Sequence, residues 1–158
     1  MTLQEYDNSN VFARMIDVGT RPTSTHVVYE DANVLAFLDA HPNVPGDTLV
    51  IPKITGYPDL FSLPSEVSAE LGRVLPSIAN ALKATQHCDG VNILMNVGSA
   101  AGQEIPHPHW HVLCQKEGAE PIINHPEKKE FDDGMLAGVA KQIKAAIHSG
   151  SFSCFGKG

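Results

Sequence analysis

Three histidines stand at alternate positions in the stretch HPHWH: His107, His109 and His111. Residues two apart in an extended strand point to the same face, so this spacing predicts a row of imidazoles about 6.6 Å apart. Pro106 and Pro108 alternate with the histidines and carry no amide hydrogen. One backbone side of the strand is therefore expected to be unpaired or at a sheet edge. Such a gap suits a ligand.

The row of histidines could bind a metal ion or act in nucleophilic catalysis, and the spacing of the histidines fits both. Packing alone is a poor explanation for three imidazoles on one face, because each needs hydrogen-bond partners when it is buried. Imidazole nitrogens can bind zinc, iron or copper, with a carboxylate from elsewhere completing the ligand set. Alternatively, the middle histidine can act as a nucleophile while its neighbours orient it and neutralise an anion. The residues alone leave both uses open.

Size and charge exclude several classes of protein. The chain has 158 residues, which suits a single domain that needs no disulfide or structural metal to hold its core. It carries 18 acidic and 11 basic residues, for a net charge of −7. This charge disfavours nucleic acid or a membrane as a partner, because both are bound through a broad basic surface. It leaves room for one small anionic ligand.

The cysteines and the amino terminus bear on the cellular compartment. Cys88, Cys114 and Cys154 are odd in number and have no Cys-x-x-Cys spacing, which predicts reduced thiols rather than a disulfide framework. The first ten residues are acidic and polar, unlike a secretory signal. No apolar run approaches the roughly 18 residues of a membrane span. These features predict a cytoplasmic protein.

Hydrophobic periodicity predicts an α+β domain over residues 1–158, with its core near 8–114 and a C-terminal segment over 115–158. Pro76 is expected to kink the second helix or to divide it in two. Ser9 is the expected N-cap of the first helix. The predicted strands are His26–Tyr29, Val34–Leu38, Thr48–Ile51, Val91–Val97 and a segment ending at Cys114, and the predicted helices are Ser9–Gly19, Val67–Leu82 and Asp132–His148.

The residues around the histidine row resemble a known family. Asn96, the run Ala101-Gly102-Gln103 and the row itself closely resemble the signature of the histidine triad (HIT) nucleotide hydrolases and transferases. The resemblance extends upstream through VYEDANVLAFLDAHPNVPGDTLVIPK and covers roughly Val28 to Cys114. It implies an α+β protomer whose sheet of about five strands continues across a two-fold dimer. It also implies a nucleotide bound with its α-phosphate against the triad.

The resemblance implies a role for each matching residue. His109 corresponds to the nucleophile, which attacks the α-phosphorus and forms a nucleotidyl-histidine that water then hydrolyses. The backbone carbonyl of His107 is expected to set the tautomer of His109, and His111 is expected to contact the phosphate. Gln103 would bind the scissile bridge or a phosphate oxygen. Asn96 would support the phosphate loop.

Asp39 and Gly102 complete the expected substrate site. Asp39 aligns with the residue that hydrogen-bonds the ribose hydroxyls, a role that two carboxylate oxygens fit. The alternative for Asp39 is a turn residue at the end of a strand, and the sequence leaves the two equal. Gly102, with Gly98, is expected to serve loop geometry and the close approach of a ligand.

Several positions depart from the family pattern. Asp47 stands where many members have a fourth histidine, and an acid there would either support a triad histidine or repel the phosphate. Glu104 replaces the serine of one phosphoramidase branch, which puts a preference for phosphoramidates in doubt. Zinc-bearing relatives have Cys-x-x-Cys where this chain has residues 10–13, Asn-Val-Phe-Ala, so we expect no zinc there.

Together with the resemblance, the sequence predicts a homodimeric hydrolase of nucleoside 5′-monophosphate conjugates, of the adenylyl phosphoramidate or dinucleoside polyphosphate type. Nucleotidyl transfer is the related reaction. The expected ligand is a purine nucleotide conjugate or a nucleoside monophosphate, and no cofactor is expected. Two alternatives remain: a nucleotide-binding module with little turnover, and a tri-histidine metalloprotein.

Overall fold

A computed structural model of the chain describes residues 6–19, 26–123 and 132–149. The chain forms two compact units, Met1–Ile122 and Ile123–Gly158. The single domain predicted over residues 1–158 stays a prediction. No helix in the described ranges is long and apolar enough to cross a membrane.

The first unit is built on an antiparallel sheet. Its strands are β1 (Val27–Glu30), β2 (Val34–Leu38), β3 (Thr48–Pro52), β4 (Gly90–Leu94) and β5 (Trp110–Gln115). They lie in the order β1-β2-β3-β5-β4, so that β5 is interior and β4 is an edge. β1 and β2 form the predicted hairpin, with a register irregularity in β1. The predicted α+β class and five-stranded sheet are confirmed.

One face of the sheet is covered by helix α2 (Ser65–Gln86). Its buried residues recur every three or four positions, at Leu71, Val74, Ile78 and Leu82, and they form one cluster with Val34, Ala36, Val50, Val112 and Cys114 of the sheet. Pro76 lies inside one continuous helix, so the expected division in two is wrong. Pro76 is on the exposed side of α2, where water can replace the backbone hydrogen bond that proline does not make.

The other face of the sheet is covered by helix α1 (Val11–Asp17). Phe12 and Met15 are buried in a second cluster with apolar side chains of β2 and β3. The N-cap is Asn10, whose side-chain oxygen accepts a hydrogen bond from the amide of Ala13 at 2.9 Å. The expectation that Ser9 caps the helix is wrong, because the Ser9 hydroxyl instead bonds the carboxylate of Asp7.

The fifth strand begins later than its sequence predicts. Its ladder with β3 and β4 starts at Trp110, and His111 lies opposite Leu49 on one side and Leu94 on the other. The chain through Pro106 and Pro108 precedes the strand, since neither proline can donate to a ladder. The expected backbone gap at the prolines is therefore confirmed, while the extension of the strand through His107 and His109 is wrong.

Two of the three cysteines are joined. Cys88 and Cys114 form a disulfide with a Cα–Cα distance of 5.4 Å, so the prediction of reduced thiols is wrong for this pair. The antiparallel pairing of β4 with β5 places Val91 opposite Cys114 and thereby brings Cys88 close. A separation of 26 residues gave no sign of this in the sequence. Cys154 lies outside the described residues, and the cytoplasmic location stays a prediction without the support of free thiols.

The second unit contains helix α3 (Asp133–His148), which confirms the predicted last helix. Asp132 is its N-cap and accepts a hydrogen bond from the amide of Met135 at 2.9 Å. The large apolar residues of α3 are exposed, and they are Met135, Leu136, Val139, Ile143 and Ile147.

Candidate active site

A cleft of about 540 Å³ contains two of the three histidines. Its size and its mixture of apolar walls with a few polar groups are typical of a small-molecule site. The apolar lining comes from α1, β2 and β3, and it includes Phe12, Met15, Phe37 and Leu49. The polar lining consists of Asp39, His41, Asn43, Asn96, Glu104, His109 and His111.

His107 lies behind the cleft, without solvent exposure. Its Nε2 lies 3.1 Å from the carbonyl oxygen of Pro52, and its Nδ1 lies 3.2 Å from the hydroxyl of Tyr6. Burial lowers the pKa of His107 to about 4, although the hydrogen bond to Pro52 opposes this shift. His107 is therefore a neutral imidazole at pH 7, with a polar partner at each ring nitrogen.

His109 is held by the backbone of His107. Its Nδ1 donates to the carbonyl oxygen of His107 at 2.7 Å, which leaves Nε2 without a partner in the described part of the chain. Burial lowers the pKa of His109 below its usual value, the hydrogen bond to His107 opposes the shift, and the nearby His111 adds to it. The result is a neutral imidazole with its lone pair on Nε2. The relation that the resemblance implies between these two histidines is present.

His111 is paired with a buried carboxylate. Oδ1 of Asp47 lies 3.4 Å from Nδ1 of His111, and Oδ2 of Asp47 accepts two hydrogen bonds from Asn43, at 3.1 and 3.2 Å. Burial alone would raise the pKa of Asp47, but the hydrogen bonds from His111 and Asn43 outweigh it and lower that pKa. Of the two roles expected for an acid at position 47, support of a triad histidine is the one that the geometry favours.

The sheet register explains why Asp39, Asp47 and His111 converge. Leu49 lies opposite both Phe37 and His111, so Asp47, two residues before Leu49, is on the same face and diagonal to His111. The amide of Asp39 donates to the carbonyl of Asp47 at 2.9 Å, which brings the third group alongside. The polar ends of three strands thus meet at one end of the cleft.

Asp39 serves the local turn and still faces the cleft. Its Oδ1 accepts a hydrogen bond from the amide of His41 at 2.9 Å, as expected of a turn residue at the end of a strand. Its other oxygen has no hydrogen-bond partner among the described residues. The two roles expected for Asp39 are therefore compatible in one side chain.

One group of side chains could hold a metal ion. Asp39, Asp47 and His111 each offer one ligand atom, and these atoms lie within 4.8 Å of one another. Both oxygens of Asp47 already accept hydrogen bonds within the fold. A cation would therefore compete with His111 and Asn43 for Asp47.

The three histidines do not form a metal site together. Both ring nitrogens of His107 have partners in the fold, and Nδ1 of His109 is committed to a carbonyl. Phe12 packs edge-on against the rings of His107 and His109, with centroid distances of 6.0 and 5.4 Å. Of the three histidines in the row, only His109 and His111 line the cleft, with ring centroids 5.3 Å apart, so the geometry does not favour the tri-histidine metalloprotein.

Gln103 lies outside the cleft wall and is bonded to the backbone. Its Oε1 accepts from the amide of Gly98 at 2.8 Å, and its Nε2 donates to the carbonyls of Pro58 at 2.6 Å and Ile105 at 3.0 Å. Gln103 therefore supports the loop that leads into the histidine row. The contact with a scissile bridge that the resemblance implies stays a prediction.

Asn96 and Gly102 lie together at the cleft wall. Nδ2 of Asn96 donates to the carbonyl of Gly102 at 3.4 Å, which agrees with the expected support of a loop. Gly102 has a φ of +85° and ends a 3-10 turn over Ser99–Ala101, a conformation that favours glycine. A side chain at this position would both strain the backbone and lie against Asn96.

Comparisons with known proteins agree with this geometry. A family model described as the HIT domain matches residues 21–118. The chain belongs to the HIT family. An uncharacterized HIT-like protein of Methanocaldococcus jannaschii is 37% identical over 134 residues, which is 85% of this chain and 98% of that protein. A HIT family protein of Bacillus anthracis of known structure matches with a TM-score of 0.78 and 34% identity, over 88% of this chain and 97% of that one.

The name of a third relative of this HIT protein states an activity. Adenylylsulfatase HINT3 of Arabidopsis thaliana is 41% identical over 120 residues, which is 73% of this chain but 60% of that protein. The histidine row, Asp39, Asp47 and Asn96 all lie inside the family match. Asn10 and Phe12 lie before it.

Sequence reasoning missed three contributors to the site. Tyr6 contacts His107, Phe12 contacts two histidine rings and Asn43 bonds Asp47. Phe12 was recognisable only as an apolar residue of an amphipathic helix. Tyr6 lies 101 positions from its partner, and no local pattern in the sequence indicates such a contact.

Proposed function

We propose that this HIT protein hydrolyses nucleoside 5′-monophosphate conjugates through a covalent intermediate on His109. The observation that carries the proposal is the 2.7 Å hydrogen bond from Nδ1 of His109 to the carbonyl of His107. A carbonyl oxygen can only accept, so the proton is on Nδ1 and the lone pair is on Nε2. The lowered pKa of His109 keeps that lone pair available at neutral pH.

The reaction divides into two displacements at the α-phosphorus. In the first, the lone pair of His109 Nε2 bonds to phosphorus while the bond to the leaving group breaks, and the leaving group departs with that electron pair and takes up a proton. In the second, water bonds to phosphorus, the nitrogen–phosphorus bond breaks and its electrons return to Nε2. The water releases a proton, which balances the first step. The product is a nucleoside 5′-monophosphate.

His111 and Asp47 support the phosphate end of this reaction. Asp47 accepts from the Nδ1 edge of His111 and so orients the ring beside His109. A buried carboxylate paired in this way holds its partner more firmly than an exposed pair would, because solvent does not screen it. The opposite edge of His111, which carries Nε2, is then the edge that can contact a phosphate oxygen.

The remaining lining supports a nucleoside. Phe12, Met15, Phe37 and Leu49 give an apolar wall suited to a purine base, and Asp39 has a carboxylate oxygen available for ribose hydroxyls. Among the described residues that line the cleft, none is lysine or arginine. A short leaving group, such as the amine of a phosphoramidate or the sulfate of an adenylyl sulfate, fits this lining better than a long polyphosphate chain. HINT3, named for adenylyl sulfate, is consistent with this class.

A nucleotide-binding role with little turnover is the second candidate. Two carboxylates, Asp39 and Glu104, line the cleft, and Asp47 lies behind it. A leaving group gains negative charge as its bond to phosphorus breaks. Carboxylates near the phosphate site raise the energy of that charge and can therefore slow the reaction. Only a measurement of turnover separates this candidate from the hydrolase.

The proposal includes a homodimer in the cytoplasm. β4 forms one edge of the sheet and pairs only with β5 among the described strands. Its Ile93 is 40% exposed, and a second strand at this edge would cover that apolar side chain. Antiparallel pairing of β4 with the same strand of a second copy would continue the sheet across a two-fold axis.

The test is the release of AMP from adenylyl conjugates that have an amine, a phosphate or a sulfate leaving group. The wild type is expected to release AMP from at least one of them, and His109→Ala to lose turnover by several orders of magnitude. His26→Ala is the matched control, since His26 is exposed and does not line the cleft. Tight AMP binding without release of product from any conjugate would instead establish the binding module.

A further inference from the structure

Tyr6 lies on the chain before α1 and contacts the histidine that the cleft does not expose. Its hydroxyl is 3.2 Å from Nδ1 of His107, and the two rings lie 6.1 Å apart. Tyr6 is half-buried, and burial raises the pKa of its hydroxyl against the opposing hydrogen bonds of Asn10 and the backbone of Gly56. The phenol therefore keeps its proton at neutral pH and can act as a donor.

The two partners of His107 select one tautomer. Nε2 faces the carbonyl oxygen of Pro52 at 3.1 Å, and a carbonyl can only accept, so Nε2 carries the proton. Nδ1 then presents a lone pair, and the Tyr6 hydroxyl donates to it. In the other tautomer the lone pair of Nε2 would face the lone pairs of Pro52. Without Tyr6, Nδ1 would be a buried acceptor with no donor among the described residues, which is unfavourable.

The position of His107 matters because its carbonyl holds His109. This carbonyl lies before β5, outside the ladder, and Pro106 and Pro108 on either side of His107 cannot donate from the backbone. Its restraints include the amide of His107, which bonds the carbonyl of Ile105 at 2.8 Å, the two polar contacts of the His107 ring and the packing of Phe12 against that ring. Asn10 also donates to the neighbouring carbonyl of Pro106 at 3.5 Å. The ring contacts therefore replace the sheet hydrogen bonds that would otherwise hold this backbone.

We propose that Tyr6 is a positioning residue for the nucleophile: its hydroxyl anchors His107, and the carbonyl of His107 in turn orients His109. The expected effect on catalysis rests on the proposed function. The anchoring of His107 by Tyr6 does not depend on that function. Tyr6 lies outside the cleft, since it is not among the residues that line it. It is expected to act on the reaction step and not on substrate affinity.

The test compares Tyr6→Phe with Tyr29→Phe. The first variant keeps the ring and removes only the hydroxyl. The second removes an equivalent hydroxyl, 2.8 Å from the carboxylate of Asp31 and remote from the histidines. Two-bond proton–nitrogen NMR correlations of the imidazoles report which nitrogen of His107 and of His109 carries the proton. Steady-state hydrolysis of an adenylyl phosphoramidate gives kcat and KM.

For Tyr6→Phe we expect His107 to stay protonated on Nε2, because Pro52 still accepts there, and its Nδ1 resonance to shift as the hydrogen bond from Tyr6 is lost. We also expect a weaker Nδ1–H signature at His109 and a fall in kcat of about three- to tenfold, as the loss of one hydrogen bond implies. KM should stay within about twofold of wild type, and Tyr29→Phe should match wild type in every readout. Unchanged imidazole nitrogen resonances of His107 and His109 in Tyr6→Phe would overturn the inference whatever kcat does, and so would shifted resonances with unchanged kcat. If the wild type itself hydrolyses nothing, the proposed function fails, and the spectra alone then decide whether Tyr6 anchors His107.

Discussion

The carboxylate of Asp47 lies 3.4 Å from Nδ1 of His111, at a position with no solvent exposure. The same carboxylate binds Asn43 through its other oxygen. Asp47 is the first residue before β3, and His111 is the second residue of β5. The alignment of two neighbouring strands therefore produces the pair, and the pair connects the loop before β3 to the histidine row.

Replacing Asp47 with asparagine tests the contribution of its charge. Asp47→Asn keeps the shape of the side chain but removes the carboxylate that orients His111, and we expect kcat for an adenylyl conjugate to fall about tenfold. Asp89→Asn is the matched control, because Asp89 is exposed and its carboxylate accepts, among the described residues, from the loop amide of Glu117 alone. An Asp47→Asn enzyme as active as the control would show that the carboxylate does not assist His111.

Phe12 is expected to support both the fold and the nucleophile. It is buried and packs edge-on against His107, His109 and Phe37. Phe12→Ala should lower the free energy of unfolding by about 3–5 kcal/mol, and it should reduce kcat as the ring of His109 gains freedom. Phe61→Ala should change neither, since Phe61 is 58% exposed. Denaturant unfolding and AMP release measure the two effects, and a Phe12→Ala protein of wild-type stability would contradict this account of the interior.

The depressed pKa of His107 predicts how stability varies with pH. This pKa falls from the usual 6.5 to about 4 because the ring is buried. Between these values the unfolded chain binds a proton that the folded protein does not, so stability is complete above pH 6.5 and is lost as the pH falls towards 4. The loss attributable to His107 is about 3 kcal/mol.

Denaturant midpoints of the wild type and of His107→Gln, measured from pH 7.5 to 4.5, check this prediction. Glutamine can donate and accept but does not titrate, so the variant should show a flatter dependence on pH, starting from a lower stability because a fully buried ring is replaced. Equal slopes in the two proteins would mean that His107 does not supply the acid sensitivity.

Glu104 is expected to select among leaving groups. It lines the cleft, is exposed and carries a negative charge with no cationic partner in the described part of the chain. Glu104→Gln should lower KM for an adenylyl conjugate with an anionic leaving group by a few-fold and should leave a neutral phosphoramidate nearly unchanged. Glu66→Gln, on α2 and outside this cleft, is the control. A uniform change for both substrates would argue against selection by charge, and raising the salt concentration should reduce the difference.

The candidate site was predictable where its chemistry is local. The alternation of histidines and prolines correctly predicted an unpaired backbone, because this follows from residue types within a few positions, while a ligand at the histidines stays a prediction. The sequence predicts too early a start for β5. Side chains alternate in any extended chain, so the pattern from His107 onwards does not show that hydrogen bonding to a neighbouring strand begins only at Trp110. The N-cap was misplaced by one residue because Ser9 and Asn10 are both good caps, and only the contact of Asn10 with Ala13 separates them.

Contacts between distant segments were not predictable from local patterns. The disulfide depends on the pairing of β4 with β5, and the hydrogen bond at Nδ1 of His107 depends on Tyr6, 101 positions earlier in the chain. Gln103 is a second residue whose contacts depend on the folded loop and not on its residue type. Its residue type suits a phosphate contact, but the turn of the loop directs its amide to three backbone groups.

The most direct test of the central claim is to trap the covalent intermediate. The protein is mixed with a stoichiometric adenylyl phosphoramidate, quenched in base within the first turnover and digested, and the peptides are analysed by mass spectrometry. We expect the mass of one adenylyl group on the peptide that contains residues 107–111, with fragmentation assigning it to His109, and no such adduct in His109→Ala. AMP release without any adduct on His109, or with the adduct on another residue, would contradict the account.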